Sequence, residues 1–186
     1  VLIPGDISWA MKLSEARKDL EFIESLPGRK ILTRGNHDYW WQREATNRMQ
    51  RVFDRSLVFL QGTSVMAGDV GIAGTRGWRV EGDRETGRQV DGDKVLRREL
   101  RYLERGLVSI PESARLRIAM LHYPPFDEKL QPNAFAGVLR EHGVDILVYG
   151  HIHRGLGTGL EGNQAGVEYH LVSADLVDFT PRLIVG

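Results

Sequence analysis

Short apolar runs that end abruptly in polar residues dominate the chain, and they alternate with stretches of helical spacing. Val1 to Pro4 reads as a buried strand ended by a Gly–Asp turn that presents Asp6. Ala16, Leu20, Ile23 and Leu26 then recur at three- and four-residue steps, which predicts a helix capped by Ser14 and stopped by Pro27–Gly28. Lys30 to Thr33 is the next strand and runs into Gly35–Asn36–His37–Asp38. A helix is expected over Tyr39 to Phe53, with Trp40, Trp41 and Met49 free to pack, followed by two or three short strands between Leu57 and Thr75. Residues Arg76 to Asp93, with four Arg and four Gly, show little periodicity and read as a lid, a binding loop or a disordered insert. Asp91 is placed to cap a helix with Val95, Leu96, Leu100, Leu103 and Leu107 on one face. Leu116 to Leu121 is a strand ending in His122, and Pro124–Pro125 forces a loop. Asn133 to His142 is a short helix, and Asp145 to Tyr149 is a strand leading into Gly150–His151–Ile152–His153. Val167 to Val172 and Leu183 to Val185 complete the strands. Strands alternating with helices predict an α/β protein.

The length of 186 residues suits one domain over 1–186, which would bury roughly 70% of the unfolded surface. Twenty-five Lys and Arg balance twenty-five Asp and Glu, so no net positive field exists to coat a nucleic acid by counterion release. Without cysteine the chain has no disulfide, thiolate metal site or cysteine nucleophile, and a metal would have to sit on His, Asp, Asn or Glu. The longest apolar runs are too short to span a bilayer, so no membrane partner and a cytoplasmic location are expected. The chain opens at Val1 inside a strand, without an initiator Met, which points to a segment upstream.

Four strand-like runs end in a candidate ligand: Asp6, Asn36, His122, and His151 with His153. The crevice beyond the carboxyl ends of α/β strands is where ligands collect. Each residue alone has an ordinary reading: Asp6 as a turn residue, Asn36 as a left-handed turn position, His122 as a satisfied loop histidine. His151 and His153 can face one ion together, though two histidines leave a site incomplete. Arg34, Arg76 and Arg79 could take a phosphate bidentately, although solvated surface arginine is the plainer reading of each. Trp9, Trp40, Trp41 and Trp78 suit core or rim packing better than a pocket wall, and His142 and His170 suit structural roles.

In combination, Gly5–Asp6, Gly35–Asn36–His37–Asp38, His122 and Gly150–His151–Ile152–His153 resemble the signature of the calcineurin-like metallophosphoesterases, over Val1 to about His153. The Gly5–Ala10 and Asn36–Trp41 stretches look like a bacterial branch known as predicted phosphohydrolases. The resemblance implies mixed β-sheets packed as a sandwich with flanking helices, and two divalent metal ions, Mn first, with Fe or Zn possible. It makes Asp6 the bridging carboxylate, with Asn36, His122 and His151 completing one ion's ligands and His153 serving the other. His37 would be the catalytic histidine and Asp38 would orient its ring. The reaction implied is hydrolysis of a small-molecule phosphoester by metal-bound hydroxide.

The family's Asp-x-His motif, expected on a strand upstream of Gly5–Asp6, is absent, because only five residues precede Asp6. The expectation is therefore an omitted first strand. The alternatives are a non-catalytic scaffold of the same fold, an inactive fragment with a single metal site, or a binuclear hydrolase of another ester. Retention of His37 speaks for a hydrolase, since a scaffold has no physical need of it.

Overall fold

The structure, a computed structural model, describes residues 1–42, 46–53, 56–79 and 92–186. Strand β1 (Leu2–Pro4) leads through helix α1 (Leu13–Ser25) to β2 (Lys30–Thr33), and α2 (Thr46–Val52) precedes β3 (Leu57–Leu60). These three strands form a parallel sheet in the order β1-β2-β3. The chain continues through β4 (Thr63–Ala67), β5 (Val70–Thr75), α3 (Gly92–Val108), β6 (Leu116–Leu121), α4 (Ala134–Glu141), β7 (Ile146–Tyr149), β8 (Gly162–Gln164) and β9 (Val167–Leu171). A second sheet takes the order β4-β5-β6-β7-β9-β8, with β5, β6, β7 and β9 parallel and β4 and β8 antiparallel at its edges.

Period-two alternation sorts the side chains into layers. Ile31 and Leu60 of the first sheet meet Ile72, Ile118, Met120 and Val148 of the second, which makes the interior of a sandwich. The opposite face of the first sheet packs Leu32, Leu57 and Phe59 against Ala16 and Leu20 of α1 and Met49 of α2. That of the second packs Ala73, Ala119, Leu121, Leu147 and Tyr149 against α3 and α4. The expected α/β sandwich with flanking helices is the architecture observed.

Several local expectations are corrected. Helix α1 begins at Leu13, so Ser14 lies inside it; the Glu15 carboxylate caps the first turn by accepting from the amides of Met11 and Lys12. Among the described residues of the helix expected over Tyr39–Phe53, α2 is the helical part, and Trp40 and Trp41 lie outside it, with the Trp40 indole donating to Ser8 O and Asp38 Oδ1. Such side-chain bonds compete with a helical path. Leu183–Val185 forms no ladder; Ile184 and Val185 are held by apolar contact with the inter-sheet core alone. Asp91 and most of the irregular Arg76–Asp93 segment lie outside the described residues. Asn133 caps α4 by accepting from the Phe135 amide, in the place the sequence pattern gave it.

Buried Lys30 closes the first strand–helix–strand unit. Its ammonium faces the carbonyl oxygens of Glu24, Leu26 and Gly28 and the Ser56 hydroxyl at 2.7–3.1 Å, so one cation serves the carbonyls left open where α1 ends. Replacing Lys30 by Met keeps the apolar stem and orphans those acceptors, and is expected to cost about 2–4 kcal/mol. Urea unfolding checks this, and an unchanged midpoint would remove Lys30 from that role.

Candidate metal centre

Four of the five residues read as ligands stand just past the carboxyl end of a strand, Asp6 after β1, Asn36 after β2, His122 after β6 and His151 after β7, and His153 follows two residues later. Two glycines let the first two loops touch. A Cβ on Gly35 would lie 2.0 Å from Asp6 Oδ1, and one on Gly5 would lie 2.7 Å from both the Gly35 backbone and His122 Nδ1. Asp6 and His151 themselves hold positive φ values of 54° and 70°, which non-glycine residues rarely adopt and which cluster at functional sites.

The donor atoms converge. His122 Nε2 lies 2.6 Å from Asn36 Oδ1, 3.2 Å from His151 Nδ1 and 3.6 Å from Asp6 Oδ2, and His151 Nδ1 is 3.1 Å from Asn36 Oδ1. The other nitrogen of His122 is 2.9 Å from the carbonyl oxygen of Pro4, which can only accept, so Nδ1 carries the proton. Burial pushes the His122 ring down to about 3, and burial followed by the neighbouring His122 does the same to His151. The His122 ring is therefore neutral at pH 7, and its Nε2 lone pair points at an amide oxygen and a carboxylate.

A cation placed among these oxygen and nitrogen lone pairs would be attracted by all of them. Ligands bound to one divalent ion at about 2.1 Å in cis positions stand about 3 Å apart, which is the spacing found here. Among the described residues, His, Asp and Glu alone form no cluster of three suited to a metal ion. The set closes only through the Asn36 amide oxygen. The donor chemistry thus fits one divalent ion of the Mn, Fe or Zn type. His153 is outside this cluster, with its Nδ1 3.0 Å from Asp175 Oδ1, although it is close enough to act electrostatically on Asp6. Desolvation raises the Asp6 carboxyl, while the His37 amide, which donates to its Oδ1 at 2.9 Å, opposes that shift.

His37 stacks face to face on Trp9, with centroids 4.1 Å apart and planes 10° apart, and its Nδ1 is 3.3 Å from the Tyr39 hydroxyl. Trp9 itself is 70% exposed, so it is neither core nor rim but an outer wall of the His37 ring. Trp40, Trp41 and Trp78 are core residues, as their apolar bulk suggested. Asp38, expected to orient His37, is committed elsewhere. Its Oδ1 accepts from the amides of Ile7 and Ser8 and from the Trp40 indole, and its Oδ2 from the amides of Asp6 and Gly35. It is a clasp between two loops.

The arginines also depart from expectation. Arg76 is buried and lies over Trp78, and the Nε atoms of Arg34 and Arg76 are both buried without a hydrogen-bond partner among the described residues. Burial and then the charge of Arg76 lower Arg34 to about 10. Sequence reading passed over Glu99, a buried carboxylate on α3 that accepts from the Thr75 hydroxyl at 2.5 Å and pairs with Arg98 at 3.3 Å. Its isolated charge on an apolar helix face was the available signal. Arg79 is exposed, 3.9 Å from Glu128, and remains a surface arginine.

A family model described as calcineurin-like phosphoesterase matches residues 1–155, while no curated protein matches the chain.

The folded-state values of His122 and His151 lie below the ordinary imidazole value of 6.5, so protonation favours the unfolded chain. Stability is full above pH 6.5 and is lost as pH falls from there towards 3. The thermal midpoint of the metal-free protein is expected to drop across that window. A flat profile would contradict the neutral buried rings.

Proposed function

The chain belongs to the calcineurin-like phosphoesterase family, whose members are metal-dependent phosphoester hydrolases, and from that premise we propose that it hydrolyses a small-molecule phosphoester at a dinuclear centre, with manganese the first metal to test. The carrying observation is that Asn36 Oδ1, His122 Nε2 and His151 Nδ1 lie within 2.6–3.2 Å of one another, with Asp6 Oδ2 3.6 Å from His122 Nε2. These four residues would hold one ion, and Asp6 with His153 would serve a second, which needs donors besides these two. When bound, divalent ions supply Lewis acidity at the phosphoryl group and lower the pKa of water at the site.

The protein's own residues supply the rest. His37 is tied to Asp6 through its amide, so its ring stands at a fixed offset from the ligand loop, and Trp9 fixes the ring plane. In that position the imidazole can pass a proton to the departing ester oxygen. Arg34 and Arg76, each with a buried Nε unpaired among the described residues, offer charge and N–H groups to the phosphoryl oxygens as negative charge builds there. Burial makes each such contact worth more than it would be in water.

Elemental analysis of the chain purified with Mn, together with turnover of bis-p-nitrophenyl phosphate against a carboxylic ester, tests the proposal. Bound Mn and preference for the phosphate diester are expected, whereas preference for the carboxylic ester would sink it. His37→Ala is expected to lower kcat by about 10²–10⁴ while bound Mn stays as in the parent. Unchanged turnover would remove the proton-transfer role.

A further inference from the structure

Beyond the residues matched by the family model, one carboxylate is built into the wall of the same centre. The chain leaves β9 into a turn in which Leu176 and Val177 donate their amides to Ser173 O, and that turn presents Asp175. Because β9 is the parallel neighbour of β7, with Tyr149 opposite Leu171, this turn and the His151–His153 loop leave adjacent strand ends in the same direction. Asp175 Oδ1 lies 3.0 Å from His153 Nδ1, and its Oδ2 accepts from the Arg154 amide at 2.8 Å. Arg154 reaches back, with Nη2 donating to Asp175 O at 2.9 Å and to Asp178 Oδ1 at 3.1 Å. The carboxylate is thus held by Arg154 independently of the imidazole it faces.

We propose that Asp175 is a positioning residue for His153: by accepting from Nδ1–H it fixes the ring tautomer and leaves the Nε2 lone pair free for a divalent cation. This rests on the reading of His153 as a metal ligand. The physical argument is that a carboxylate only accepts, so the nitrogen it faces carries the proton in a neutral ring. A ligating histidine whose second nitrogen is bonded to a carboxylate is both oriented and made more basic. Among the described residues the His153 ring has no other hydrogen-bond partner, while the residue's carbonyl accepts from the Leu156 amide, so Asp175 is what sets the ring's tautomer and rotation.

Asp175→Asn is the discriminating variant. The amide oxygen can still accept from Arg154, while the amide nitrogen must donate to His153 Nδ1, which drives the proton onto Nε2 and blocks it. Ring-nitrogen NMR of the metal-free protein and Mn binding followed by calorimetry are the readouts. The expected result is an inverted His153 tautomer, a thermal midpoint like the parent's and Mn affinity reduced about 10- to 100-fold. An unchanged tautomer with unchanged affinity overturns the proposal. Asp178→Asn, which touches Arg154 but not His153, is the control; a loss of Mn affinity equal to that of Asp175→Asn would assign the effect to the turn and overturn it also. A parent chain that binds no Mn would overturn the metal-centre reading and this proposal with it, whereas Mn binding equal in parent and Asp175→Asn overturns the positioning role alone.

Discussion

The buried Asp38 carboxylate gathers five N–H groups, four from the backbone of Asp6, Ile7, Ser8 and Gly35 and one from the Trp40 indole. These donors come from two loops that leave neighbouring parallel strands, so one side chain fixes the offset between them. Asp6 and Asn36 are carried on those two loops, and their donor atoms stay within reach of His122 only while the clasp holds. Burial raises the Asp38 carboxyl, and the amides of Gly35, Ser8 and Ile7 that donate to it oppose that shift. Its bonds also stabilise the positive φ at Asp6, a conformation of the kind the surroundings must over-determine.

The second constraint is electrostatic. The neutral His122 ring lies 3.6 Å from the desolvated Asp6, and Arg34 and Arg76 on the adjacent loops each bury an Nε unpaired among the described residues. The carbonyl of Arg76 accepts from the amides of both His122 and Tyr123, at 3.1 and 2.9 Å. The arginine loop and the histidine loop are therefore tied together through the backbone. Glu99 offsets part of the arginine charge, but its oxygens are taken by Thr75 and Arg98. Donor atoms for cations, set next to guanidiniums, would suit a ligand carrying several negative oxygens.

Much of this was legible from sequence because it depends on strand ends. An apolar run that stops at Gly–Asp, Gly–Asn–His–Asp or Gly–His–Ile–His shows both the strand and what it delivers, and β1, β2, β6 and β7 were read within a residue or two. What was not legible depends on tertiary bonds. Asp38 was assigned to its sequence neighbour His37, but three of its five donors are amides 30–32 positions away, and a Tyr39 hydroxyl lies 3.3 Å from the His37 ring. Arg76 was read as a surface residue because nothing local announces that Trp78 and the His122 loop enclose it. Leu183–Val185 has the composition of a strand, yet apolar contact alone holds it.

The same rule that exposed the ligands also explains why Asp175 was overlooked. Attention fell on residues immediately after a strand, whereas Asp175 comes four residues after β9 and arrives only because the intervening turn bends it back over the neighbouring loop. Strand order decides this: β9 lies beside β7 rather than at the far edge, so whatever its loop carries is delivered next to His151 and His153. In a parallel sheet the groups that meet are set by adjacency of strands, not by adjacency in sequence. The family-matched residues end at 155, but the physical centre extends to the next strand end, where a carboxylate completes the surroundings of the last histidine.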